Sequence, residues 1–357
     1  MKKSLVLMAM AGVALASCVN EVANDVQSQE RVKVTFDAPV VYNNATSRYL
    51  TNEIDGTVYP TEEKFMVAAK YETTNFDWDA ATNFWDGFLE VTYDEKNDGW
   101  RTADDYYWPS SSLAFVAYSP SGAEKLCTSI DYKTTGWDIK GFQVPKEQAS
   151  EKIDLLYSNL LTNQTGNASQ GGYYGVPIVF NHALSSLHFI VKKSETVDVD
   201  VYLKSINIYN VAQNGNFDGV SWTPATDVET TSYKPYAKET YGDLPFKEDT
   251  YLEFTPNMTH VGAEGVGGTN LLLLPQDLDN VMMEVEYYVN GKYKKTSPIA
   301  LKDQLGTIGS TTSPVSSWQP GYRYIYFLHY SALAQDLIYF APVVTDWVDV
   351  NLTINLN

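Results

Sequence analysis

Cysteine and histidine are scarce in this chain. Its 357 residues hold two cysteines, Cys18 and Cys127, and four histidines, at 182, 188, 260 and 329. So few thiols exclude a disulfide framework, and the histidines form neither an HExxH nor an HxH pattern. His182 and His188 lie six apart in a β-prone segment. They read either as a metal pair on one strand face or, more ordinarily, as two packed side chains. Positive charge is short as well: 25 Lys and Arg stand against 44 Asp and Glu, a formal net charge of -19. Such a surface repels phosphate backbones, so nucleic acid is not an expected partner. A GxSxG elbow and a Walker loop are both missing, and the glycine-rich GAEGVGG at 262–268 reads as a loop. Helical patterning is rare. KEQASEKIDLL (146–156) and SALAQDL (331–337) each suffice for a turn or two, too little for the crossover helices of a parallel sheet.

Long apolar runs are also absent, apart from one at the start. In MKKSLVLMAMAGVALASC, Lys2 and Lys3 precede an apolar stretch from Leu5 to Ala16, which is too short for a stable membrane span. Leu15-Ala16-Ser17-Cys18 resembles a bacterial lipobox. That implies a signal peptide of residues 1–17 and lipid on Cys18, the new first residue, with a plain secretory signal as the alternative. Several acyl chains on one residue hold a protein at a membrane, where one chain alone does so marginally. Residues 18–30 are polar and aperiodic and read as a tether. Cys127, left without a partner, reads as a small apolar side chain.

What the chain has in abundance is short strands. RVKVTF opens the fold with Val32, Val34 and Phe36 expected inward and Lys33 and Thr35 outward. Strand-like pieces follow at 64–71, 83–93, 113–120, 141–145 and 176–193. The alternation from Val197 to Leu203 changes phase at Ile206, the mark of a bulge. Asn290-Gly291 separates two alternating runs, a hairpin signal. Further strands are expected at 323–330, 336–344 and over the tail. The 44% hydrophobic content supports real cores, and 26 tyrosines suit half-wet sheet faces. An all-β sandwich architecture follows. Its length suggests two domains, placed at 31–195 and 196–357. Trp78, Trp85, Trp100 and Trp108 crowd together with Tyr106 and Tyr107, either as core or as an exposed surface for sugar rings. Asp77, Asp79 and Asp86 lack the spacing of a calcium loop. No cofactor or metal is expected.

Several motifs occur in a fixed order: YYWPSSSLAFVAYSP at 106–120, DLLYSN at 154–159, VFNHALSSLHFIV at 179–191, SWQPGYRYIYFLHY at 317–330 and VVTDW at 343–347. With the lipobox, the chain resembles the fimbrillin family, the type V pilins and related surface lipoproteins of Bacteroidales. The resemblance implies two tandem transthyretin-like β-sandwich domains and a non-enzymatic structural role. It also implies passage to the outer membrane through lipid on Cys18. An Arg-directed protease would then cut in the loop after the first strand. Arg48, followed by Tyr49 in NNATSRYLTN, matches that position. Arg31 would leave the strand in place, and Arg101 would cut into a core. Loss of strand 32–36 would open a groove for a strand from another pilin subunit in a surface fimbrium. The tail, with Val348, Val350, Leu352, Ile354 and Leu356 on alternate residues, is either that donor (348–357) or a strand of its own C-terminal domain. Two other functions stand beside this one: a monomeric surface lipoprotein that binds glycans through the aromatic 78–108 region, and a glycoside hydrolase, for which no carboxylate constellation emerges.

Overall fold

A computed structural model describes residues 32–41, 58–166, 175–226, 230–238, 251–263, 265–308, 311–331, 337–338 and 348–353. Among these the chain is almost entirely β, with one turn of α-helix at Gln148–Glu151 and one 3-10 turn at Ala123–Leu126. The first sheet runs in the order Val40–Val41, Val179–His182, Leu156–Ser158, Leu113–Ser119, Phe65–Tyr71, Leu89–Asp94, Gly99–Thr102. All pairs along it are antiparallel except the first.

The two faces of this sheet bury different cores. Phe65, Val67 and Ala69 alternate with Ala68, and Leu113, Phe115 and Ala117 alternate with Ala114, Val116 and Tyr118. The first set packs with Val34, Phe36, Val41, Tyr59, Trp100 and Phe180, and the second set with a larger core reaching into the C-terminal half. Leu113–Ser119 is buried at every position. That is why LAFVAYS shows no polar alternation: a strand covered on both faces reads as a continuous apolar run.

The C-terminal half is a sandwich of two sheets. One runs Thr259–His260, Ser185–Lys193, Tyr322–Tyr330, Val348–Thr353, Gln304–Ile308, Thr311–Val315; the other runs Thr231–Ala237, Val201–Val211, Met282–Val289, Lys292–Lys295. Leu187, Phe189, Tyr326 and Leu328 share one core with Ile206, Ile208, Met283 and Val285. The register against Met282–Val289 slips between Leu203 and Ser205, where the alternation changes phase. Asn290 and Gly291 both take positive φ and close the 282–295 hairpin at Val289–Lys292.

A fourth, small sheet joins the halves. Ser129–Lys133 and Gly136–Gln143 pair on into Asn214–Phe217 and Trp222–Pro224. The Ser185–Lys193 strand, N-terminal to residue 195, lies in the C-terminal sandwich through its parallel pairing with Tyr322–Tyr330.

Candidate strand-exchange site

The segment 32–41 carries the candidate site. It does not lie on an open sheet edge; it joins the two ends of the first sheet. On one side Trp108 N donates to Val32 O at 3.0 Å, Val34 N to Tyr106 O at 2.8 Å and Phe36 N to Trp100 O at 3.0 Å. On the other side Val176 N donates to Thr35 O at 2.8 Å, Asp37 N to Val176 O at 3.1 Å and Val40 N to Ile178 O at 3.0 Å. Phe36 is therefore bridged antiparallel to Trp100 and parallel to Val176. Removing the segment would bare two rows of backbone groups at once, each of which needs a new partner.

Its side chains anchor it. Phe36 is 2% exposed, with ring centroids 5.7 Å from Phe65 and 6.2 Å from Phe115, both edge-on. Val34 and Val41 are buried beside it. Three such side chains contribute on the order of 5–9 kcal/mol of burial before chain ordering is charged against it. Gly175 has φ +151°, and a Cβ there would come within 2.4 Å of the Phe36 and Asp37 backbone, so the close approach requires glycine. Outside, Lys33 pairs with Asp105 at 2.6 Å, both half exposed.

Val32 departs from the alternation: it was expected inward and is 47% exposed. The neighbour on the Val176 side is met only from Thr35 onward, so Val32 lies on the rim of the groove. Cys18, Arg48 and Tyr49 lie outside the described residues, as do Ile354 and Leu356.

The tail strand has two neighbours in its own sheet. Val348–Thr353 runs parallel to Tyr322–Tyr330, with Val348 opposite Tyr322, Val350 opposite Tyr324 and Leu352 opposite Tyr326. Its other edge pairs antiparallel with Gln304–Ile308. In the single chain these six residues complete the C-terminal sandwich.

The remaining sequence candidates are structural in their surroundings. His182 Nδ1 lies 3.0 Å from Asp154 Oδ1, both buried, while His188 Nε2 meets Ser186 Oγ at 2.9 Å. The two histidines do not share a site. Among the described residues no group of three or more His, Cys, Asp or Glu is placed to hold a metal. Asp77 Oδ1 accepts from the backbone N of Asp79 (3.0 Å) and Ala80 (3.4 Å) and from Thr134 Oγ1. The Thr134 bond foremost, then the backbone bonds, lowers its pKa, so it fixes a turn. Cys127 is half-buried and donates to Ala123 O at 3.3 Å; burial, then Glu124, pushes its thiol up to about 12. Trp78, Trp85 and Trp100 are buried, Trp108 and Tyr106 are half-buried against the core, and of the six aromatics Tyr107 alone is exposed.

Against known proteins, the fimbrillin-like family model matches residues 62–347. A fimbrial protein from Bacteroides vulgatus superposes with a TM-score of 0.55 at 14% identity, covering 88% of this chain and 98% of that one. A candidate cell-adhesion protein from Bacteroides uniformis covers 92% and 98% at 14% identity, with a TM-score of 0.49. No curated sequence matches the chain. The first superposition, at its low identity, speaks to fold alone; the family match covers most of the chain, and the chain belongs to the fimbrillin-like family.

Proposed function

We propose that this fimbrillin-like protein is a structural, non-enzymatic subunit of a cell-surface fimbrium, assembled by replacement of its first strand. The precursor is held at the outer membrane by lipid on Cys18. An Arg-directed protease cuts between Arg48 and Tyr49, seven residues beyond Val41, the last residue of the segment that joins the sheet ends. Cleavage severs Val32, Val34 and Phe36 from the rest of the fold, along with the lipid.

The observation that carries this reading is the placement of segment 32–41. Its backbone bonds reach both ends of the first sheet, and its ring fills the middle of a core. While it is covalently attached, its effective concentration is very high and a rival strand cannot compete. Once cut, it can dissociate. The vacated slot then offers unpaired N–H and C=O groups and an apolar floor, which recruit an extended strand from another subunit.

The tail supplies a strand of matching alternation, Val348, Val350, Leu352, Ile354 and Leu356. To be donated it has to leave the place between Tyr322–Tyr330 and Gln304–Ile308 that it holds in the single chain. The acceptor half of the exchange thus has the stronger support.

The test is Arg48→Ala. Incubated with a trypsin-like protease, the wild-type chain is expected to lose its first 48 residues and form multimers that survive detergent without boiling. The variant is expected to stay a monomer with its first strand in place. Multimers formed equally by both chains would refute cleavage at Arg48 as the trigger.

A further inference from the structure

We propose a second site: a pocket for a single neutral sugar residue beside Trp78. The cavity measures about 320 Å³. That is at the small end of ligand pockets, which run from about 300 to 1,000 Å³, and suits one terminal or branching residue better than a long chain. Three segments wall it: the Phe65–Tyr71 strand, the nearby loop 78–88 and, distant in sequence, the hairpin that follows Ser129.

These walls are tied together by the protein itself. Thr134 donates through Oγ1 to Asp77 and through its backbone N to Asp79 Oδ2 at 3.2 Å, while Asp79 N donates back to Thr134 Oγ1 at 3.1 Å. Trp78 and Tyr132 meet edge-on at 5.1 Å. The cavity is thus pre-formed, which lowers the ordering cost of binding.

The chemistry of the lining selects the ligand. Its charged groups balance, Lys70 and Lys133 against Asp79 and Asp131, so the pocket does not favour an ion of either sign. Lys70 Nζ donates to Trp78 O at 2.5 Å and sits 5.2 Å from the centre of the Trp78 ring, which fixes its charge in the floor. Among the described residues, Asp79 Oδ1 accepts no hydrogen bond and the exposed Asn83 side-chain amide makes none. Together they offer acceptors and a donor pair to adjacent hydroxyls. Tyr132 and Phe88 provide half-buried apolar walls for the C–H face of a pyranose. The indoles of Trp78 and Trp85 in the lining are buried, which differs from an open stacking platform. A side chain at Gly87, φ +62°, would meet nothing within 4 Å, so the rim beside it is open.

The full-length folded chain is titrated with glucose, galactose, mannose, fucose and N-acetylglucosamine. Sialic acid and glucosamine serve as charged controls. Binding is read by saturation-transfer NMR and tryptophan fluorescence at up to about 50 mM sugar, enough to saturate a millimolar site. At least one neutral sugar is expected to bind. Asn83→Ala is expected to weaken it about tenfold. Gly87→Asn, which tolerates left-handed backbone and fills the rim, is expected to abolish it, both variants keeping the wild-type melting temperature. No transfer to any neutral sugar, binding of the charged controls alone, or binding unchanged in both variants would each overturn the assignment.

Discussion

Phe36 fills a pocket between Phe65 and Phe115 while its backbone is bonded to neighbours on both sides. Truncation to alanine leaves a cavity that the surrounding rings fill only in part, so Phe36→Ala is expected to cost about 3–5 kcal/mol in urea unfolding. Val32→Ala, at a half-exposed rim position, is expected to change stability by less than about 0.5 kcal/mol. Equal effects at the two positions would show that the groove does not distinguish them.

Burial of ionisable side chains also sets a pH window at this scale. The Cys127 thiol is pushed up to about 12, and Tyr59, Tyr118 and Tyr233 are raised, burial being the first cause for each. Unfolded, these groups ionise near about 8.5 for the thiol and about 10 for the phenols, so their contribution is complete below those values and is lost as pH climbs through the raised ones. His260 and His329 are lowered by burial, and as bases they contribute above about 6.5 and lose that contribution as pH falls. Melting temperature is therefore expected to be highest between roughly pH 7 and 8.5 and to fall on both sides. Iodoacetamide is expected to label Cys127 slowly at pH 8 until the chain unfolds.

At the scale of the element, most strands were legible because alternation is a local property. The 282–295 hairpin follows from Asn290-Gly291 between alternating runs, and the phase change after Leu203 marks the observed register slip. Phe36 and Val34 fall inward as the pattern requires. The exposure of Val32 was not legible, because it depends on where its neighbour around Val176, far along the chain, begins. Nor was the full burial of Leu113–Ser119, which depends on the second core behind it. The small sheet joining Gly136–Gln143 to Asn214–Phe217 and the parallel pairing of Ser185–Lys193 with Tyr322–Tyr330 are likewise long-range facts that no local period encodes. The sugar-sized pocket was hinted at by the crowd of tryptophans, but its polar rim comes from loops that only the fold brings together.

The tail is the element where pattern alone left two readings open. Because Val348–Thr353 has a neighbour on each edge, deleting residues 348–357 bares two strand edges within a buried sheet. The truncated chain is expected to be less stable and prone to aggregate, with a lowered melting temperature in thermal unfolding. A truncated chain that melts like the wild type and fails only to multimerise would show that the tail is dispensable to its own fold and free to be donated.

At the scale of the whole molecule, the net charge of -19 keeps unassembled copies apart, so contact between subunits needs a strong local driving force. On the proposed reading, an apolar slot with two unsatisfied backbone edges would be such a force, and it would exist only after the first strand has gone. Polymerisation would then be timed by proteolysis at the cell surface rather than by concentration. The proposed sugar pocket is polar and balanced in charge where the slot is apolar, yet Ala69 and Trp85 both line the pocket and belong to the core that Val34 and Phe36 complete.

The most direct measurement is native mass spectrometry of the purified chain during digestion with an Arg-specific protease. The account predicts a cut after Arg48, departure of the fragment that carries Val32, Val34 and Phe36, and growth of oligomers in step with that departure. A chain cut after Arg48 that keeps the fragment bound and remains monomeric at every concentration would contradict it.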